Sequence, residues 1–247
     1  MFEPNGNAEI EVIKVKERSV IIVDDFYENP DEIRDLAIEL KYSEEPGLIG
    51  GFPGKRGSLG TPEVKEKLYQ VYLDLCKAYG DLNEVDFENN WNNLGFMVNI
   101  TKDSYLRPNP MGIIPHQDYW ANEPGWESTY QYGSVVYLNT PDECAGGTNL
   151  YSYGDHMSIP TDYQPEWLQD AQGAFNITGP ILGSLSDDLI FKYIKDRVDS
   201  NVPYKLEFEA EMKYNRMFLY PADVLHTANL DLGMFIENYR INQVFFM

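Results

Sequence analysis

Hydrophobic and polar positions follow two different periods along this chain, and the change between them falls near residue 91. Before it, strand and helix signals are mixed. Ser19-Val20-Ile21-Ile22-Val23 is a short apolar run of buried-strand length. Asn29 then stands as an N-cap, Pro30 suits the first helical position, and Asp31 and Glu32 fill the first turn. Ile33, Leu36, Ala37 and Leu40 place the apolar stripe at helical spacing. A glycine-rich loop is predicted from Gly47 to Gly60. Thr61-Pro62-Glu63 opens a second helix, with Val64, Leu68, Val71 and Leu75 on one face. From Trp91 onward the period falls to two: Leu94, Phe96, Val98 and Ile100 alternate with Gly95, Met97, Asn99 and Thr101. Tyr132 to Asn139, Asn149 to Tyr153, Met217 to Tyr220 and Tyr239 to Phe246 also have strand character. Gly and Pro punctuate the gaps, as in Asn139-Thr140-Pro141-Asp142 and Ala145-Gly146-Gly147.

Between Asp155 and Pro203 the alternation lapses, and Pro165 to Ala171 and Ser186 to Val198 take helical spacing, which marks an insertion between strands. Many short strands separated by turns predict a mainly β protein with helices (α+β), built as a double-stranded β-helix, the jelly roll that also makes cupins. The N-terminal helices are expected to pack on one of its sheets. One domain over residues 1–247 is expected, with 1–90 as strand and helix support and 91–247 as a jelly-roll core carrying the insertion at 155–203.

Charge narrows the partners. Forty acidic residues against 19 basic give a net charge of −21 and an isoelectric point near 4.4. Such a surface repels phosphate backbones and anionic membranes, so neither nucleic acid nor membrane is expected as a partner. The densest basic stretches, Lys55-Arg56 and Lys192 to Arg197, are short and interrupted, and read as solvated faces. Hydrophobic content of 43% and aromatic content of 14% suffice for a core. The two cysteines, Cys76 and Cys144, share no CxxC spacing, and Cys76 falls in the apolar repeat of the second helix, where a buried thiol is the default. With no signal-like start and no apolar run of membrane-spanning length, a cytoplasmic, reducing location is expected.

The chain has three histidines, and two are placed as a metal site requires. His116 lies in Ile114-Pro115-His116-Gln117-Asp118, and His226 in Tyr220-Pro221-Ala222-Asp223-Val224-Leu225-His226. On an extended segment residues i and i+2 project to one face, so His116 and Asp118 can be joint ligands. Two imidazoles and a carboxylate form the facial triad of non-haem Fe(II) oxygenases, which leaves coordination positions open for co-substrate and oxygen. With 40 acidic residues in the chain, His-x-acid spacing also arises by chance. His156 has no such partner and reads as a surface group in the insertion. Context adds weight to the other two. His226 follows Asp118 by 108 residues (226 − 118), far enough to come from a late strand. Arg240 follows His226 by 14 (240 − 226) and opens the alternating run Arg240-Ile241-Asn242-Gln243-Val244-Phe245-Phe246. An arginine facing a mostly apolar interior needs an anion, and its planar fork suits a carboxylate. A salt bridge from Arg240 to Asp223 or Glu237 is the plainer alternative, and two satisfied histidines in a β sandwich the plainer reading of the pair.

The order His116-x-Asp118, Gly146-Gly147-Thr148, His226, Arg240 resembles the 2-oxoglutarate/Fe(II)-dependent oxygenase superfamily in its prolyl-4-hydroxylase-like form, over about residues 91 to 247. The run Phe26 to Ala37, with Phe52-Pro53-Gly54-Lys55-Arg56 later, resembles a bacterial and viral branch of the same superfamily. The resemblance implies Fe(II) held by His116, Asp118 and His226, and 2-oxoglutarate paired through its distal carboxylate with Arg240. It further implies O2 as oxidant, succinate and CO2 as products, and hydroxylation of an unidentified small-molecule or peptide substrate. Many relatives carry Ser or Thr two residues after the arginine; here Asn242 stands there, and its amide can donate the same hydrogen bond. Asn99, Tyr137 and Tyr151 are candidates to touch the oxo acid, and each serves equally as core filler. Trp120, Trp126, Tyr119 and Tyr130 are candidates to line the pocket. A cupin-like metal-binding or structural jelly roll without 2-oxoglutarate turnover is the alternative of a different class.

Overall fold

The computed structural model describes residues 2–42, 55–58, 97–101, 115–118, 132–158, 204–231 and 233–246. Among them the chain is mainly β, with two antiparallel sheets and one α-helix. The strands are β1 (Glu9–Val15), β2 (Arg18–Asp24), β3 (Lys55–Ser58), β4 (Met97–Thr101), β5 (Tyr132–Tyr137), β6 (Gly147–Tyr153), β7 (Tyr204–Glu211), β8 (Met217–Pro221), β9 (His226–Asn229) and β10 (Arg240–Phe246). The larger sheet runs β1-β2-β8-β5-β10-β4-β3 and the smaller β7-β6-β9.

The core lies between these sheets. Val20 and Ile22 of β2, Val135 and Tyr137 of β5, and Phe218 and Tyr220 of β8 pack with Leu150 of β6 and Ala210 of β7. Strand alternation explains the selection: positions 133, 135 and 137 face the smaller sheet, as do 218 and 220 on β8. On β10 the inner face carries Arg240 and Asn242, whereas Gln243 turns to the other side and accepts a 2.8 Å hydrogen bond from the Tyr27 hydroxyl. The buried run Tyr132–Tyr137 therefore packs on both faces, which is why it reads as nearly continuous apolar sequence.

The helix α1 (Pro30–Glu39) forms where predicted and buries Ile33 and Ala37. Asn29 holds the N-cap position without a side-chain cap bond, so Pro30 and the acidic first turn carry that end. Just past the helix, Leu40 and Tyr42 sit against Gly57 of β3, 3.0 and 3.2 Å from where a Cβ would stand. Arg34 ties the helix to Glu143, in the turn before β6, through two hydrogen bonds of 3.0 and 3.2 Å.

Several expectations change. Lys55–Ser58, predicted as loop, is a strand paired with β4, because backbone pairing compensates for its lack of apolar residues. β1 and β7 were not predicted, and β9 is the late strand expected to carry His226. His156 is exposed, as expected, in the tight return after β6. The second helix from Thr61, Cys76, the helices at 165–171 and 186–198, Lys192 to Arg197, most of the Gly47–Gly60 loop, and Tyr119, Trp120, Trp126 and Tyr130 lie outside the described residues. No helix among the described residues is long and apolar enough to cross a membrane.

The end of β2 is pinned by charge. Asp24 at the end of β2 takes both oxygens of its carboxylate to Arg216, at 2.5 and 2.9 Å, and receives Lys213 at 2.7 Å. Chiefly the Arg216 hydrogen bond, then Lys213, hold its pKa below the ordinary carboxylate value despite partial burial. A depressed folded-state pKa gives stability that is present above the unfolded value, near 3.8, and is lost as pH falls toward the folded value. Asp24→Asn is therefore expected to destabilise at pH 7 by about 1 kcal/mol or less, because solvent screens the pair. Thermal unfolding of both proteins across pH 7 to pH 3 checks this: the gap between them should close on the acid side.

Candidate metal centre

Backbone pairing brings the two ligand segments together. The amide of His116 donates to the His226 carbonyl at 2.9 Å, and the amide of His226 returns a bond to the His116 carbonyl at 2.8 Å. Two residues on, the Asp118 amide donates to Ala222 at 2.9 Å. His226 also pairs with Leu150 on its other side, so β9 is flanked by β6 and by the His116 segment. Thus the smaller sheet is extended by the segment that carries two of the three candidate ligands. The His-x-Asp spacing then acts as predicted, with both side chains on the face that meets His226.

One donor atom from each of His116, Asp118 and His226 lies within 4.8 Å of the others. The His226 Nε2 to Asp118 Oδ2 distance is 3.3 Å, and both side chains are 7% exposed. The imidazoles of His116 and His226 stand 4.5 Å apart, tilted by 49°. His226 Nδ1 lies 2.9 Å from the Val224 carbonyl oxygen, which can only accept. Nδ1 therefore carries a hydrogen and Nε2 faces the site, the arrangement that orients metal-bound histidines. Burial opposes charge on this imidazole, yet the Asp118 carboxylate and the Val224 carbonyl together raise its pKa above the ordinary value. A proton on Nε2 occupies the place that a cation would take.

Glycine makes the approach possible. A Cβ on Gly133 of β5 would stand 3.1 Å from Asp118 Oδ2 and 3.1 to 3.2 Å from the Tyr220 ring. The carboxylate and that ring thus converge over a position with no side chain of its own. Tyr220 stacks obliquely on His226 with centroids 4.6 Å apart, and burial first, then Asp118, raises its pKa well above the phenol value. The donor set and its confined space fit a divalent transition metal.

Arg240 is 5% exposed. Its Nη1 donates to Asn242 Oδ1 at 2.7 Å, its Nη2 to the Gly147 carbonyl at 3.4 Å, and its guanidinium carbon lies 5.8 Å from the Tyr137 ring centre. Its Nε is buried without a partner. Burial lowers its pKa from the ordinary value, a sign of how costly the charge is there. Among the described residues no carboxylate pairs with it. Asp223 pairs with Arg18 instead, and Glu237 is exposed, so both salt-bridge alternatives are overturned. Tyr137 and Thr148 share a 2.7 Å hydrogen bond next to the guanidinium. β4 places Asn99 directly opposite Asn242, with Tyr137 opposite on the other side. Tyr151 does not join this group: it follows a bulge after Leu150, packs edge-on to Tyr204 and accepts a hydrogen bond from Asn149.

Sequence reasoning missed Gly133 and Tyr220, whose roles depend on neighbours from other strands. For Gly146 and Gly147 the signal was present. Gly146 has φ +66°, and a Cβ on Gly147 would stand 2.0 Å from the Ala210 carbonyl oxygen, so β6 can start only with glycine there.

Over residues 4–237 the chain matches the family DUF6445, described as a family of unknown function. The chain belongs to DUF6445. The matched range takes in His116, Asp118, Tyr220 and His226 and ends three residues before Arg240 (240 − 237). The DUF6445 chain is also similar to two solved structures of an N-substituted L-amino acid dioxygenase from Burkholderia ambifaria AMMD. The first has 12% identity and a TM-score of 0.38, covering 92% of this chain and 81% of that one. The second, in complex with alpha-KG, has the same identity and TM-score, covering 91% and 80%. No curated protein matches the chain.

Gly133→Ala tests how tightly the centre is built. The new methyl must displace the Asp118 carboxylate or the Tyr220 ring, at a cost of about 1–3 kcal/mol. Co(II) titration should show at least about tenfold weaker binding, with a lower unfolding temperature. Unchanged Co(II) affinity would mean that Asp118 does not act from this position.

Proposed function

We propose that this chain is an Fe(II)- and 2-oxoglutarate-dependent oxygenase, a hydroxylase of an unidentified small molecule or peptide. The observation that carries the reading is the pairing of a two-histidine, one-carboxylate cluster with a buried arginine that has no anion among the described residues. In this reading the two sheets are the halves of a jelly roll, and the whole chain is one oxygenase domain. His116, Asp118 and His226 hold Fe(II). Bound iron, with the oxo acid and O2, supplies the oxidising power, while 2-oxoglutarate leaves as succinate and CO2.

The chain's own residues bind, orient and exclude. Arg240 presents its fork to the distal carboxylate, and the unpartnered Nε gives that anion a donor that Asn242 and Gly147 leave free. Asn242 holds the guanidinium in plane from the same strand face. Tyr137, held by Thr148, walls the anion site, and Asn99 lies opposite Asn242 in the register of β4. Val224 keeps the His226 Nδ1 proton in place, so that Nε2 serves as ligand. Burial of the His226 and Asp118 side chains, each 7% exposed, keeps bulk water from the centre.

The test is anaerobic addition of Fe(II) and 2-oxoglutarate to the full chain, followed by visible spectroscopy. A weak metal-to-ligand charge-transfer band is expected in wild type and is expected to vanish in His226→Ala. Metal binding with no band would instead assign the chain to cupin-like metal-binding modules. Arg240→Met separates the co-substrate role from folding. It should weaken 2-oxoglutarate on the order of 100-fold, as expected for losing a charged, bidentate partner. Its unfolding temperature without ligand should be unchanged or higher, because an unpaired buried charge is removed.

A further inference from the structure

The turn between β5 and β6 grips Arg240 from two ends, and only one of these contacts reaches its head group. At the far end of the turn the Gly147 carbonyl accepts from Nη2 at 3.4 Å. At the near end stands Asn139, which is fully buried and has no part in the reading above. Its Nδ2 donates to the Tyr239 carbonyl at 2.6 Å, and its Oδ1 accepts from the Ile241 amide at 2.7 Å. The two bonded groups flank Arg240 in the chain, so one side chain holds the backbone on both sides of the arginine.

The reason lies in where the strands end. β10 begins at Arg240, paired with Thr101 of β4 on one side. On the other side β5 reaches only Tyr137, opposite Asn242, and the Leu138 amide adds one bond to the Ile241 carbonyl. Alternate residues of a strand aim their backbone groups to the same side, so those of 239 and 241 face β5. Past Leu138 the chain leaves into the turn at Thr140, which Glu143 closes and Arg34 of α1 braces through the same carboxylate. A side-chain amide carries a donor and an acceptor, as a peptide group does, and Asn139 supplies the missing rung. Just before it, residues 236 to 239 are exposed, whereas Arg240 is 5% exposed. Fraying by one rung would release to water a guanidinium that no carboxylate neutralises among the described residues. Held inside instead, it stands ready for an anion.

We infer that Asn139 is a positioning residue for Arg240: its side-chain amide closes the first rung of β10 and so holds the guanidinium at the depth where it meets the co-substrate carboxylate. This rests on the oxygenase reading above, which supplies the anion. Asn139 acts through the backbone of β10 and not by contact with the oxo acid. Its loss therefore weakens the oxo acid and spares the metal, whose ligands hang from β9 and the His116 segment.

Asn139→Ala in the full chain tests this, with Asn139→Asp as a second variant that keeps an acceptor for the Ile241 amide but no donor for Tyr239. Three measurements are made on each: labelling of Arg240 by the arginine-selective reagent phenylglyoxal, read by mass spectrometry; anaerobic 2-oxoglutarate titration of the Fe(II) protein; and Co(II) affinity. Arg240 is expected to label slowly in wild type and faster in both variants. Oxo-acid affinity is expected to fall about tenfold, as when the support behind a binding group is lost, with Co(II) affinity unchanged. Wild-type values of either labelling or oxo-acid affinity in both variants overturn the assignment and leave the oxygenase reading standing. Parallel loss of Co(II) binding, or failure of both variants to fold, also overturns it, since Asn139 would then support the fold as a whole. If wild type binds metal but shows no oxo-acid band, the oxygenase reading fails. Faster labelling in the variants would then still uphold the clamp on Arg240, and only its ligand would be reassigned.

Discussion

Two opposite charges are buried between the same pair of sheets without touching, and the interior is organised around keeping them apart. Asp118 is taken up by His226, while Arg240 is held by an amide oxygen and a backbone carbonyl, both neutral. Direct pairing would have been the low-energy solution in a low dielectric. The fold prevents it by seating each charge on a different scaffold. Asp118 sits on a segment whose backbone bonds His226 and Ala222, and Arg240 projects from β10 near Tyr137 and Thr148. Each charge costs several kcal/mol to desolvate, and the surrounding core of Val135, Leu150, Phe218 and Tyr220 offsets it. Such separation stores attraction for a ligand that carries complementary charges at both ends.

The triad's geometry comes from secondary structure more than from side-chain contacts. Reciprocal amide-to-carbonyl bonds join His116 to His226, and a third bond seats Asp118 on Ala222. Backbone pairing does not depend on side-chain identity, so residues between the ligands are free to vary while the donor atoms keep their spacing. The turn from β8 into β9 is fixed in turn by Arg18, which pairs with Asp223, and by Val224, which holds the His226 ring. A site supported this way is organised before any ligand arrives, which lowers the entropy lost on binding.

How far the sequence could be read follows the same division between strand-local and cross-strand information. β5 was legible because its run is buried on both faces, β10 because of the alternation that starts at Arg240, and β8 because Met217 to Tyr220 is apolar throughout. β7 alternates perfectly, Tyr-Lys-Leu-Glu-Phe-Glu-Ala-Glu, but adjoins a stretch with no pattern and sits at a sheet edge where charge is tolerated. β1 is another edge strand, with Ile10 and Val12 exposed, so burial leaves little mark on its sequence. β3 contains no apolar residue and exists through its pairing with β4. In the site, His116, Asp118, His226 and Arg240 were legible because each strand announces its own inward face. Gly133 and Tyr220 were not, because each is defined by an atom on another strand.

A metal ion held by His226 would compete with a proton for Nε2. Without an ion, the imidazole of His226 is drawn toward its protonated form by Asp118 3.3 Å away. With an ion, Nε2 must give that proton up, while Nδ1 keeps its own for Val224. The small residue at 133 leaves room for Asp118, whose carboxylate already rests against the vacant Cβ position. A larger side chain there would push Asp118 toward one partner or the other. Glycine leaves both accessible.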